Sequence, residues 1–203
     1  MALFLTVAAA FPAAAATPVL PPADQAAVTA AERSLNDIRT LEGRFTQSSS
    51  EGGYAHGKIY VRRPGRLRLD YAPPTTLQVY GDGFWLIYVD TELKDVQRVP
   101  IRSTPAGFLV RDKVSLSDDV TVTKVERAAD RLRIHLVQAD DPSAGTVVLS
   151  FAGTPPRLTD WEVIDPKGVR TRVTLVDTKF NVEVGPMPFV FDETPYEPER
   201  PKE

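Results

Sequence analysis

The 203-residue chain contains no cysteine. That absence excludes disulfides, thiolate metal sites and cysteine nucleophiles together. Histidine is nearly absent as well: there are two, His56 and His135, far apart and each in a strand-like context. Strand histidines of this kind are ordinarily surface or cross-strand residues, and a general base needs its partner within hydrogen-bond reach. No serine sits in a nucleophile-elbow pattern, and no glycine-rich phosphate loop opens a helix. The sequence therefore gives no support to an enzyme, and no cofactor or metal site is expected. Positive charge is not in excess either. The net charge is −3, which argues against nucleic acid, because neutralising phosphates requires a basic face. The acidic pairs Asp118-Asp119 and Asp140-Asp141 lack the spacing of a calcium-binding helix-loop-helix and read as solvated turns.

The first residues form an apolar run, Leu3 to Phe11, followed by Ala14-Ala15-Ala16. A basic start is missing, but the small residues fit a signal-cleavage site with Thr17 as the new N-terminus. The run is too short for a membrane span, which needs roughly 20 apolar residues. The expectation is a signal peptide over 1–16 and a single domain over 17–203 of a soluble, exported protein. No cysteine follows the cleavage site, so no lipid anchor is expected there.

What the chain does have is apolar periodicity. Val28, Ala31, Leu35 and Ile38 recur at helical spacing after Asp24, the expected N-cap, with Glu32, Arg33 and Asn36 facing away. From Leu41 the period changes to two. Ile59 and Val61, then Leu67, Leu69 and Tyr71, then Leu77 and Val79 alternate with polar partners, the mark of an antiparallel sheet with one face buried. Phe84 to Val89 is apolar on both faces, so its orientation stays open. Gly81-Asp82-Gly83 and Asp165-Pro166-Lys167-Gly168 are turn signals. Further strands are expected at 120–125, 132–137, 147–151, 158–164 and 169–176, with a short one at Phe189 to Phe191. About ten strands, one N-terminal amphipathic helix and short central helices predict an incomplete, strongly curved antiparallel β-barrel covered by helices. Arg66 and Arg68 read as solvated residues of the outer face. Arg63, forced towards extended backbone by Pro64, stands at a bend where its five donors can satisfy carbonyls of a neighbouring element. The alternating apolar set fits a filled core and an open cavity equally, because both use the same residue types.

The run Leu41-Glu42-Gly43-Arg44-Phe45-Thr46-Gln47, then Gly57 to Arg63 with Pro64, then Gly81-Asp82-Gly83, then Thr104-Pro105 with Leu109, resembles the periplasmic outer-membrane lipoprotein carrier protein family, LolA. The match keeps order and spacing from about residue 28 to 110 and continues as a strand pattern. The resemblance implies a half-barrel with a lid that holds lipoprotein acyl chains. It implies cargo received from an inner-membrane ATP-driven transporter and passed to an outer-membrane receptor, by a monomer in the periplasm. Cavity positions would be Phe45, Ile59, Val61, Leu67, Leu69, Tyr71, Leu77, Val79 and Ile87. Lid positions would be Val28, Leu35, Ile38, Phe108 and Leu109, with Arg63 as the clamp that holds the lid shut. Leu67 and Leu69 stand where the family often has aromatic residues. Two neighbouring readings share the same module: a carrier of other lipids such as glycolipids, and a periplasmic regulator that senses lipids or lipoproteins.

Overall fold

The computed structural model describes residues 20–101 and 104–196. The expected residue 1–16 leader lies outside them. The chain enters through helix α1, Pro22–Asp37. Pro21 and Pro22 preset the backbone and lack the N–H groups that a first turn leaves unbonded. The helix therefore begins two residues before Asp24, which is not the N-cap. Asp24 sits in the first turn, where a carboxylate suits the helix dipole, and pairs with Arg127 at 2.9 Å. Val28, Ala31 and Leu35 form the buried stripe, and Ile38 follows it.

All the strands belong to one sheet: β1 (Thr40–Ser49), β2 (Tyr54–Arg62), β3 (Arg66–Tyr71), β4 (Leu77–Asp82), β5 (Trp85–Asp90), β6 (Asp95–Pro100), β7 (Val120–Arg127), β8 (Arg131–Gln138), β9 (Thr146–Ala152), β10 (Arg157–Ile164) and β11 (Arg170–Phe180). Their order is β6-β5-β4-β3-β2-β1-β11-β10-β9-β8-β7, antiparallel throughout. Two meanders thus meet at the β1–β11 ladder, where Leu41 faces Phe180 and Phe45 faces Leu175. Register shifts in β1, β7 and β10 add local bend and twist. The expected curved, open antiparallel sheet is borne out. One strand more than expected is present, because β6 was not foreseen.

The register fixes the faces. Ile59, Leu69, Val79 and Tyr88 lie opposite one another in one row, and Val61, Leu67, Gly81 and Leu86 in the next. This inner face packs with Val28, Ala31 and Leu35 in one core. Gly57 is a close approach: a Cβ there would lie 2.2 Å from the carbonyl oxygen of Asp70. Consecutive strands β6 and β7 end at opposite edges of the sheet. The segment joining them does not turn back as a hairpin; its described part, residues 104–119, runs over the inner face. It includes a 3-10 helix, Pro105–Leu109.

The C-terminal segment takes the other side. Phe189 to Phe191 adds no strand; Met187–Phe189 is a 3-10 turn. The Arg62 guanidinium carbon lies 5.0 Å from the Phe189 ring centre, and Phe191 packs on Tyr80 with ring centres 5.0 Å apart. Arg68 is consequently not a solvated residue. It is 9% exposed, stacked 3.8 Å over Tyr80 and paired with Asp70 at 2.9 Å. Burial pulls its guanidinium below the ordinary arginine range, with Asp70 opposing.

Candidate functional site: a buried arginine fork and the cleft beside it

The corner between β2 and β3 is Arg63-Pro64-Gly65. Gly65 has φ +81°, and a Cβ on it would lie 2.5 Å from the Gly83 Cα, so the turn needs glycine on both counts. Gly65 donates its N–H to the Val110 carbonyl at 2.8 Å. Arg63 is 8% exposed and points into the fold. Its Nε donates to the Leu109 carbonyl at 2.8 Å, Nη1 to the Leu35 carbonyl at 2.6 Å, and Nη2 to the Phe108 carbonyl at 3.1 Å. One planar fork thus joins the sheet corner, the last turn of α1 and the 3-10 helix. A cation suits the carbonyl end of α1, where the helix dipole is negative. Burial pushes the Arg63 guanidinium down to about 10, with Arg39 adding to the fall and Asp112 opposing it. It remains charged at neutral pH.

The rest of the segment is tied to α1. Asn36 reads both backbone groups of Val114: the Val114 N–H donates to Oδ1 at 2.8 Å, and Nδ2 donates to the Val114 carbonyl at 2.8 Å. Leu116 donates its N–H to Glu32 Oε2 at 2.9 Å. Glu32 and Asn36, expected to face away from the apolar stripe, instead hold the segment at Val114 and Leu116. Leu109, Val110, Val114 and Leu116 are all buried. Of these only Leu109 was singled out from sequence. The alternation of Val114 and Leu116 was the available signal for two of the other three.

The structure brings most of the expected positions together. Val28, Leu35, Ile38, Phe45, Ile59, Val61, Leu67, Leu69, Val79 and Leu109 share one buried cluster, with Tyr71, Leu77 and Phe108 half-buried at its margin. Tyr71 donates its hydroxyl to Gln47 Oε1 at 2.7 Å and meets Phe45 edge to face, 4.9 Å between ring centres. Burial and neighbouring Tyr88 push the Tyr71 phenol up to about 12. Ile87 is the exception. It pairs with Tyr80, one position out of step with Leu86 and Tyr88. It therefore lies on the outer face, near Phe189 and Phe191. The inner-face residues of β5 are Leu86 and Tyr88. Neither histidine belongs to this arrangement: His135 is on the outer face beside Glu126, 3.4 Å away, and His56 is exposed.

Open space lies elsewhere. A cleft of about 860 Å³ runs between the 104–119 segment and the inner face of β7 to β10, within the ordinary range of small-ligand sites. Its apolar wall is Phe108, Val114, Leu116, Leu136, Val147 and Val163, and both Pro100 of β6 and Val120 of β7 reach it. The two sheet edges thus converge on one cleft. Phe108 stands at its inner end, edge to face with buried Trp161, 5.9 Å between ring centres. The same 3-10 helix that Arg63 grips therefore separates the cleft from the closed core.

Residues 36–192 match the family model of the outer membrane lipoprotein carrier protein LolA. An outer-membrane lipoprotein carrier protein of Pseudomonas paraeruginosa is 28% identical over 181 residues, covering 85% of this chain and 86% of its own length. Its counterpart in Methylococcus capsulatus is 28% identical over 167 residues, covering 77% and 79%. Among solved structures, an uncharacterised conserved protein from Thermus thermophilus superposes with a TM-score of 0.51 at 11% identity, covering 84% of this chain and 94% of that one. That likeness concerns the fold alone.

Proposed function

This chain belongs to the outer membrane lipoprotein carrier protein LolA family, and on that premise we propose that it is a periplasmic carrier whose lid opens to take up the acyl chains of lipoproteins. The observation that carries the reading is the Arg63 fork, which holds the 3-10 helix shut between an apolar cleft and an apolar core. Acyl chains enter the cleft and displace Phe108 from Trp161. The space they gain is lined by Phe45, Ile59, Val61, Leu67, Leu69 and Val79. Tyr71 and Leu77 sit at its margin.

The energetics suit a carrier. Each methylene taken out of water contributes about 0.8 kcal/mol, so a long chain gains enough to displace the lid. Hydrogen bonds from a charged donor are worth roughly 1.5–3 kcal/mol each, and the two that Arg63 makes to the 3-10 helix must break. That cost lowers the net affinity for cargo and favours release. No helix among the described residues is long and apolar enough to cross a membrane, in keeping with a carrier that moves through water. The partners on this reading are an inner-membrane ATP-driven transporter and an outer-membrane receptor, with the carrier acting as a monomer.

The test is displacement of a fluorescent apolar probe from the purified protein by triacylated lipopeptide and, separately, by diacyl phospholipid. Displacement by the lipopeptide at much lower concentration is expected. Equal displacement by both would reassign the protein as a general lipid carrier. Absence of probe binding would remove the reading altogether.

A further inference from the structure

Apolar side chains scattered singly on a surface need no explanation, whereas a cluster of them does. Of the six large apolar or aromatic side chains that stand exposed among the described residues, four surround one groove: Phe84, Trp85, Met187 and Val190. The groove, of about 470 Å³, lies on the outer face of the sheet, between strands β2 to β6 and the C-terminal segment. Val190 lines it, and Pro186 and Phe189 of its wall bracket Met187 in the chain. Asp82, also in the wall, accepts the N–H groups of Phe84 and Trp85 on Oδ1, each at 2.8 Å, which fixes those two residues at the rim. Trp85 is two positions from Ile87 and shares its outward face. The other two exposed side chains, Tyr54 and Leu93, lie at the ends of β2 and β5 away from the groove.

Three guanidinium groups, those of Arg62, Arg66 and Arg98, line the same groove, against two carboxylates, Asp82 and Glu193. Arg98 is paired with Glu193 at 2.6 Å. Arg62 lies over the Phe189 ring and donates to the Val184 carbonyl at 3.5 Å. Arg66 faces Asp82 across the β3–β4 ladder. Among the described residues, neither Arg62 nor Arg66 has a carboxylate within ion-pair distance. In a chain of net charge −3 this is a local excess of positive charge. Apolar tips standing out beside guanidinium groups suit a lipid–water boundary: the tips enter the acyl edge while the cations meet phosphate. We infer that this outer-face patch docks the protein on the surface of an anionic phospholipid bilayer. The contact is reversible, because it uses a few side chains rather than an inserted helix, and salt weakens it. The patch lies on the opposite face of the sheet from the cleft, so the inference goes beyond the carrier reading and does not rest on it.

The experiment is flotation of the full-length mature protein with vesicles of phosphatidylglycerol and phosphatidylcholine in equal amounts, and with vesicles of phosphatidylcholine alone. Binding to the anionic vesicles is expected to be several-fold tighter and to weaken as salt rises. Met187→Ser with Val190→Ser, both exposed, should reduce it about tenfold, the share of two partly buried apolar tips. Arg66→Gln should reduce it about fivefold, the share of one cation at an anionic surface. Leu93→Ser should leave it unchanged. Trp85 supplies a second readout, because the only other tryptophan, Trp161, is buried against Phe108. Anionic vesicles brominated along their acyl chains should quench the fluorescence, and Trp85→Phe should abolish that quenching. Equal binding to both vesicles, binding to neither, binding that the patch variants do not change, or quenching that survives Trp85→Phe would overturn the inference. So would a dimer, formed without vesicles, that the Met187 and Val190 substitutions dissolve, since a second copy would then cover the patch. Displacement of the apolar probe by lipopeptide should be the same in the Met187 and Val190 double variant as in the wild type, so either reading can fail while the other stands.

Discussion

One guanidinium joins three elements that share no ladder: the β2–β3 corner, α1 and the 3-10 helix. A buried arginine without a paired carboxylate is costly unless its donors are met, and here three carbonyls meet them. Lysine could not reproduce the fork, because its donors radiate from a single point. Tyr71 is a second polar group at the same margin, and it makes a pH prediction. Its folded-state phenol ionises near 12, whereas an unfolded tyrosine ionises near about 10. Between those values the unfolded chain has already lost the proton that the folded chain keeps. Stability contributed by Tyr71 is therefore complete below about 10 and falls as pH rises towards 12. In a spectrophotometric titration Tyr71 should be the last or among the last of the six tyrosines to ionise, and Tyr71→Phe should remove that late phase. A titration unchanged by the substitution would show that the phenol is not buried as described. At this scale the sequence was readable for Arg63, because an arginine before proline at a strand bend has few neighbours besides backbone carbonyls. It was not readable for Arg68. Its burial comes from Tyr80 and the C-terminal aromatics, more than 100 residues away.

At the scale of elements, the lid segment owes its position to α1 more than to any regularity of its own. Between Leu109 and Val120 it forms no helix or strand, so Asn36 and Glu32 supply the partners its backbone lacks. Asn36→Ala should leave both Val114 backbone groups short of a partner and destabilise the segment by about 1–3 kcal/mol. Hydrogen exchange checks this directly. The amides of Val114 and Leu116 should exchange faster, while those of the β1–β11 ladder should not change. Equal acceleration throughout would mean that the lid and the sheet open only together. Strand positions were legible wherever polar and apolar residues alternate, as in β3, where Leu67 and Leu69 alternate with Arg66 and Arg68. In β5 the strand was legible but its facing was not, because both faces are covered: Leu86 by the core and Ile87 by the C-terminal segment. β6 was missed for the opposite reason. It is a mostly exposed edge strand, its two valines lie three apart, and Pro100 ends it, so no alternation marks it.

At the scale of the molecule, topology explains why a segment covers the inner face of the sheet. A chain that completes one meander at β6 and begins the next at the far edge must cross the open side of the sheet. The crossing and α1 cover part of the inner face and leave a cleft against β7 to β10. The sequence indicated an apolar inner face but not this division. The cleft is the space between residues 104–119 and strands that follow much later, and residue types do not report unfilled volume. The central claim is that the Arg63 fork holds one of two lid positions and that acyl chains select the other. Since the chain has no cysteine, two can be introduced for spin labels, at exposed Asp112 on the lid segment and exposed Ser48 on β1. The measurement is the distance between them by pulsed electron paramagnetic resonance. The account predicts one short-distance population in the empty protein and a longer one with saturating triacylated lipopeptide. It also predicts that the longer population appears without cargo in Arg63→Leu. A distance that neither lipopeptide nor the substitution changes would contradict it.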